Sequence, residues 1–311
     1  MKTYSIIGSG QYNLDIIKLR EYPEGFSIGK RNRFVENVLL EEVGGTCGNV
    51  MCSLAHLGWI AQPQVKLIDT EEGHKLAENI ASFGCDIRYV SYSEKGGFSG
   101  MICTHRRCNK TGEHKLGLRS FGPNGSQFRK ITELRARDEV PAFLETLAEV
   151  PDVYFFDHNE AGPRKIAEEL RKRGSLVYYE CENSKDWRKF IKSVDIADIV
   201  KFSDDNVQDI SFADEYKDKL FIQTQGSKGL QFKLRNGNWI HINPIQVSNV
   251  VDWEGCGDTI TAVFLYELGK LGLPKVSVLT EDQVKTALTV AAEKAGLCTQ
   301  YYGSKNWLKA I

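Results

Sequence analysis

The sequence predicts an α/β protein: a three-layer α/β/α sandwich around a mostly parallel central sheet, with a small β-sheet lid. Short β-branched and aromatic runs alternate with amphipathic helical patterns, the mark of parallel strands joined by crossover helices. Two stretches, residues 18–43 and 96–121, break that alternation with β-like runs and no helix. No repeat, low-complexity tract or Pro- or Ser-rich linker divides the 311 residues. One domain over 1–311 is therefore expected, with the two irregular stretches as its lid.

The elements follow in chain order. Tyr4–Ile7 reads as the first strand and ends in Gly8-Ser9-Gly10. A loop from Val43 to Asn49 opens a helix with Val50, Leu54 and Leu57 on one side, stopped by Gly58. Val65–Asp69 is a strand, and a helix from Glu71 to Phe83 stops at Gly84. Around a Gly-bearing turn, Gly96–Arg107 and Lys115–Arg119 form hairpin material. Val153–Phe156 begins a unit whose helix, apolar at Ile166 and Leu170, ends at Gly174. Leu176–Tyr179, Ile199–Phe202 and Leu220–Thr224 are further strands. Helices from Gly257 to Leu271 and from Glu281 to Cys298 close the chain.

Charge and composition exclude several classes. Forty Lys+Arg against 41 Asp+Glu leave a net charge of −1, no footprint for a nucleic-acid binder. No apolar run is long enough for a membrane span, and Met1–Gly10 lacks a signal-peptide pattern, so a cytoplasmic protein is expected. The eight cysteines show no CxxC spacing, which fits scattered reduced thiols. Cys103, His105, Cys108 and His114 also suit a zinc site by residue type, but without the paired-ligand spacing. The six histidines make no triad with a Ser or Cys nucleophile.

Four constellations carry chemistry. Val250 to Thr259 holds Gly255-Cys256-Gly257-Asp258 at a helix start, where unpaired amides and the macrodipole attract an anion. Asp258 there suits a general base toward an attacking hydroxyl, or simply a helix cap. Gly44, Gly45, Thr46 and Asn49 suit close approach of a polar ligand to backbone, or a plain loop into a helix. After the first strand, Asn13 and Asp15 alternate on an extended chain and so face one ligand. Asn13 stands where a dinucleotide fingerprint needs its third glycine, which disfavours a dehydrogenase. Thr224, Gly226 and Gly229 form a turn without the P-loop pattern.

In this order, the four resemble the ribokinase-like (phosphofructokinase-B) family of carbohydrate kinases over essentially the whole chain. Gly255–Asp258 is similar to that family's Gly-Ala-Gly-Asp signature, Gly44–Asn49 to its N-terminal signature and Thr224–Gly229 to its nucleotide-side turn. The resemblance implies a ribokinase-like kinase that uses ATP and Mg2+, with K+ as a further cation. It implies Asp258 as catalytic base and the amides of Gly255, Cys256 and Gly257 as anion hole. Asn13, Asp15, Gly45, Thr46 and Asn49 become sugar contacts, Thr224, Gly226 and Gly229 nucleotide contacts, and Asp252 a monovalent-cation ligand. Nucleic acid and membrane are not expected as partners, and exposed lid strands offer pairing into a homodimer.

The chain also departs from that pattern. Relatives carry Asn-x-x-Glu where this chain reads Ser203-Asp204-Asp205-Asn206, so the magnesium-organising Glu is absent and Asp204 or Asp205 is the available carboxylate. Glu180 and Glu182 resemble the paired glutamates of ketohexokinases, and Thr299–Gly303 is similar to the end of fructosamine kinases. These features lean toward a ketose or ketose derivative as acceptor. A non-catalytic sugar- or nucleotide-binding sensor and a nucleoside kinase are the alternatives. Arg106, Arg107, Lys110, Lys115 and Arg119 crowd the expected lid, as a charged strand edge or as a phosphate contact; the edge is the simpler account.

Overall fold

A computed structural model describes residues 2–23, 33–122, 133–181 and 184–310. Part of the 18–43 stretch, residues 24–32, and the Glu182 likeness lie outside the described residues. The larger sheet has nine strands, running β13-β12-β11-β10-β9-β8-β1-β4-β5 across its width. These are β1 (Ser5–Ser9), β4 (Ile60–Ile68), β5 (Val90–Ser93), β8 (Val153–Phe156) and β9 (Leu176–Cys181). The set continues with β10 (Ile199–Ser203), β11 (Leu220–Thr224), β12 (Leu230–Leu234) and β13 (Trp239–Ile242). In this sheet β1, β4, β5, β8, β9, β10 and β11 are parallel, and β12 and β13 turn back antiparallel at one edge.

Strand sequence and layer follow from one another. Along β8, Val153 and Phe155 enter one core while Tyr154 and Phe156 enter the other; Leu176 and Tyr178 against Val177 and Tyr179 repeat this on β9. A two-residue side-chain period buried on both faces gives these near-continuous apolar runs. One face is covered by α1 (Thr46–His56), α2 (Glu71–Ser82), α6 (Cys256–Lys270) and α7 (Glu281–Cys298). The other is covered by α3 (Glu139–Glu145), α4 (Ala161–Lys172) and α5 (Trp187–Ile196).

A second sheet, ordered β3-β2-β6-β7, stands apart from the first. Its strands are β2 (Asn13–Tyr22), β3 (Val35–Gly44), β6 (Gly100–Cys108) and β7 (His114–Phe121). It begins at Asn13, five residues before the stretch that breaks the sequence pattern, so Asn13 and Asp15 belong to the sheet itself. Strand β4 also starts earlier than expected, at Ile60. Pro63 hides that start in the sequence, and it is tolerated because β5 pairs only from Val65 onward. Among the described residues no helix is long and apolar enough to cross a membrane.

Candidate functional site

A cavity of about 210 Å3 opens between the second sheet and the amino ends of α1 and α6. Alternation supplies its sheet wall. Asn13, Asp15 and Ile17 point the same way along β2, and in register beside them lie Glu42 on β3 and Met101 and Cys103 on β6. Of the residues singled out in the sequence, Asn13, Asp15, Gly45, Thr46, Asn49, Asp252, Gly255 and Asp258 all line this cavity.

Gly255 caps α6 in the left-handed region, at φ 78°, and a Cβ there would lie 2.2 Å from the Cβ of Ser304. The helix therefore starts at Cys256, one residue earlier than expected, with Asp258 in its first turn. Cys256 and Gly257 contribute first-turn amides rather than cavity-lining side chains. Beneath them Lys201 comes up from β10, its Nζ 3.5 Å from where a Cβ on Gly257 would sit. Lys201 pairs with Glu180, which also accepts a 2.6 Å bond from the Thr261 hydroxyl.

Asp258 accepts a 2.6 Å hydrogen bond from Asn49 Nδ2, a link between α1 and α6. Asn49 Oδ1 in turn accepts from the Ser304 hydroxyl at 2.7 Å and from Lys305 Nζ at 2.8 Å. Lys305 is buried; it also donates to Val43 O and Ser304 Oγ and faces Glu42 at 3.2 Å. Burial and the nearby Glu180 charge push Asp258 up to about 7; Lys201 and the Asn49 bond pull the other way, and Glu254 adds to the rise. Burial likewise lifts Asp15 to about 7 against the pull of Lys305, with Glu42, Glu254 and Asp258 adding to it. The side-chain oxygens Asn13 Oδ1 and Asp15 Oδ1 are buried without a hydrogen-bond partner. A polar ligand is what such atoms await.

The remaining sequence candidates fall elsewhere. Thr224 ends β11 beside Ser203, and Gly226 and Gly229 shape the turn after it, at φ 54° and 95°. That turn lies outside the cavity, at the carboxyl end of the parallel strands, where ligands of open α/β sheets bind. Asp252 turns inward, both oxygens accepting main-chain bonds, from Glu254 N at 3.0 Å and Gly303 N at 2.9 Å. His105 faces it at 3.4 Å. His105 and His114 meet each other at 3.0 Å, and among the described residues no group of three or more His, Cys, Asp or Glu is arranged to hold a metal. Arg106, Arg107, Lys110, Lys115 and Arg119 are exposed and none lines the cavity; Lys115 and Arg119 lie on the edge strand β7. The Asn206 side chain donates to Cys181 O at 3.2 Å, tying the turn after β10 to the end of β9.

Four contributors carried no local signal: Lys305, Lys201, Glu42 and Asp157. Asp157, at the end of β8, accepts from Gln11 N at 3.0 Å and Cys47 N at 2.8 Å, and so anchors both the loop before β2 and the start of α1.

The profile of the pfkB family of carbohydrate kinases matches residues 156–310. A probable fructokinase-5 from Arabidopsis thaliana is 25% identical over 299 residues, covering 85% of this chain and 84% of that one. Among solved structures, a putative ribokinase from Agrobacterium tumefaciens superposes with a TM-score of 0.70 at 13% identity, over 99% of this chain and 94% of that one. A fructokinase with bound ATP from Xylella fastidiosa gives 0.67 at 15%, over 99% and 94%. The Burkholderia thailandensis nucleoside kinase in complex with inosine gives 0.64 at 15%, over 98% and 93%. At such identities these likenesses establish the ribokinase-like α/β fold.

Proposed function

This chain carries a carbohydrate kinase domain of the pfkB family and is a sugar or nucleoside kinase; on that premise we propose that it transfers the terminal phosphate of ATP to a hydroxyl of one small carbohydrate, a ketose or ketose derivative. The observation that carries this reading is the meeting, in one cavity, of Asp258 at a helix amino end with Asn13, Asp15 and Asn49. Among the described residues none that lines the cavity is aromatic, so they offer a nucleobase no ring to stack on, which favours a sugar over a nucleoside. Against the sensor alternative stands Asp258, a carboxylate lifted into the range where a general base works.

In the proposed step, ionised Asp258 takes the proton of the acceptor hydroxyl. The freed oxygen forms a bond to the terminal phosphorus as the bond to the departing ADP oxygen breaks. First-turn amides of α6 and the Lys201 ammonium beneath them face the transferring charge. Asn13, Asp15 and Asn49 orient the sugar, and the second sheet, acting as lid, excludes water. Thr224, Gly226 and Gly229 form the nucleotide side. Magnesium would neutralise the charge of the phosphates, and Asp204, half-buried beside Thr224 with its amide bonded to Thr224 O, is the carboxylate that would help to hold it. Each Asp252 oxygen accepts one amide hydrogen bond, which leaves lone pairs that a potassium ion would use.

Magnesium-dependent ADP release across a panel of ketoses, aldoses and nucleosides tests the reading; release with nucleosides alone would reverse it. Because Asp258 must be ionised and titrates at about 7, kcat/KM should fall as pH drops through about 7 and level off above about 8. A profile flat from about pH 5.5 to 8.5 would remove Asp258 from the base role. In Gly44→Ala the new Cβ would lie 1.7 Å from Asp15 Oδ2, so the carboxylate must move. The KM for the sugar should rise about tenfold or more while that for ATP stays the same. The reading extends to association: the edge strand β3 exposes Val35, Val38 and Leu39, which a second copy would cover, and sedimentation velocity reads a dimer directly.

A further inference from the structure

Counting charge around the cavity leaves it short of cations. Asp15, Glu254 and Asp258 line it, and none of the three makes a close ion pair with a described residue, Lys305, His105 and Lys201 acting on them only from farther off. The other two lining carboxylates have close partners, Glu42 in Lys305 at 3.2 Å and Asp252 in the amides of Glu254 and Gly303. Among the described residues, the ammonium groups beside the cavity already have close partners. Lys305 directs its hydrogens at Val43 O, Asn49 Oδ1 and Ser304 Oγ, and Lys201 is paired with Glu180.

A second observation points to a ligand. Asn13 is 3% exposed, lines the same cavity, and its Oδ1 has no partner. Asp15 Oδ1, two residues along the same strand face, is also buried and unpartnered. The occupant must therefore bring hydrogen-bond donors, and it meets negative charge. A neutral polyol supplies the donors and leaves the charge unanswered. A bare metal ion is poorly served, because no three of these groups are arranged to hold one among the described residues.

We infer that the acceptor is a monosaccharide bearing a protonated amine, whose ammonium is received by Asp15 and Glu254 while Asp258 addresses a hydroxyl. This deepens the kinase reading and rests on it for the polyol part. Glu254 is the specificity element, its backbone fixed by the 3.0 Å bond from its amide to Asp252. Burial first, and then neighbouring carboxylates that include Glu254, lift Asp15 and Asp258 to about 7 against the pull of Lys305 and Lys201. An ammonium among them answers that repulsion and, being desolvated on both sides, discriminates strongly against a neutral hydroxyl.

Calorimetric titration of the intact protein with glucosamine against glucose, and with 1-amino-1-deoxyfructose against fructose, tests the inference. In at least one pair the amine should bind about tenfold tighter or more, and Glu254→Gln should cut that ratio about fivefold, with Glu254→Asp restoring part of it. No preference in either pair, absence of binding included, overturns the inference; so does a preference that Glu254→Gln leaves intact. Parallel ADP-release assays separate the two claims. Turnover of neutral sugars without amine preference removes the ammonium and leaves the kinase, whereas amine-selective binding without turnover does the reverse.

Discussion

Asp258→Asn should lower kcat by about 10^2–10^4-fold with nucleotide binding retained, because the variant keeps the shape of the side chain and loses its basicity. The same substitution should raise the melting temperature at pH 8. In the folded chain Asp258 holds its proton up to about 7, against an ordinary value of 3.8. Between those values the folded state binds a proton that the unfolded state has released, so wild-type stability falls as pH rises through that window. Asparagine carries no charge to bury, so the variant should gain on the wild type from about pH 4 upward and keep the full advantage above about 7. Steady-state kinetics and thermal melts at pH 5 and 8 read both effects. Wild-type turnover in the variant would end the base assignment, and equal melting at pH 8 would contradict the buried charge.

Lys305→Met should be the most damaging change outside the reacting groups. The Lys305 ammonium, 1% exposed, makes three hydrogen bonds and faces the buried Glu42. Removing one member of such a buried pair leaves its partner charged and alone, at about 3–5 kcal/mol. For a chain this long that amounts to a melting shift of at least about 5 °C. Asn49 also loses one of the two donors that fix its orientation toward Asp258, so turnover should drop about tenfold or more. A double variant, Lys305→Met with Glu42→Gln, removes the stranded charge and should regain most of the stability, while turnover stays low. Melting within about 1 °C of wild type in the single variant would show that the ammonium carries no such load.

Legibility in the sequence followed the range of the interaction. The strands β8 to β11 could be read because burial on both faces writes itself as consecutive apolar residues, and the cap at Gly255 because a left-handed turn selects glycine. Asn13 and Asp15 were readable as a pair from strand alternation alone. Lys305 was not: it meets Asn49 across 256 positions of chain, and no spacing rule spans that distance. Glu254 stood in plain view inside the motif, yet its meaning depends on Asp15 arriving from the other end of the chain. Lys201 reads as one polar residue in an apolar strand until Glu180, 21 residues away on the neighbouring strand, explains it.

Strand β2 has two roles at once. It is the central rail of the second sheet, bonded along β3 and β6, and it carries Asn13 and Asp15 into the cavity. A cover hinged on its own separate segment can swing aside and leave a bound sugar in place. In the proposed kinase the cover and the grip would be one piece, so an outward swing of the sheet would draw Asn13 and Asp15 off the sugar in the same stroke. Uncovering the product and letting go of it would then be a single event, with no posture that is open yet still holding on.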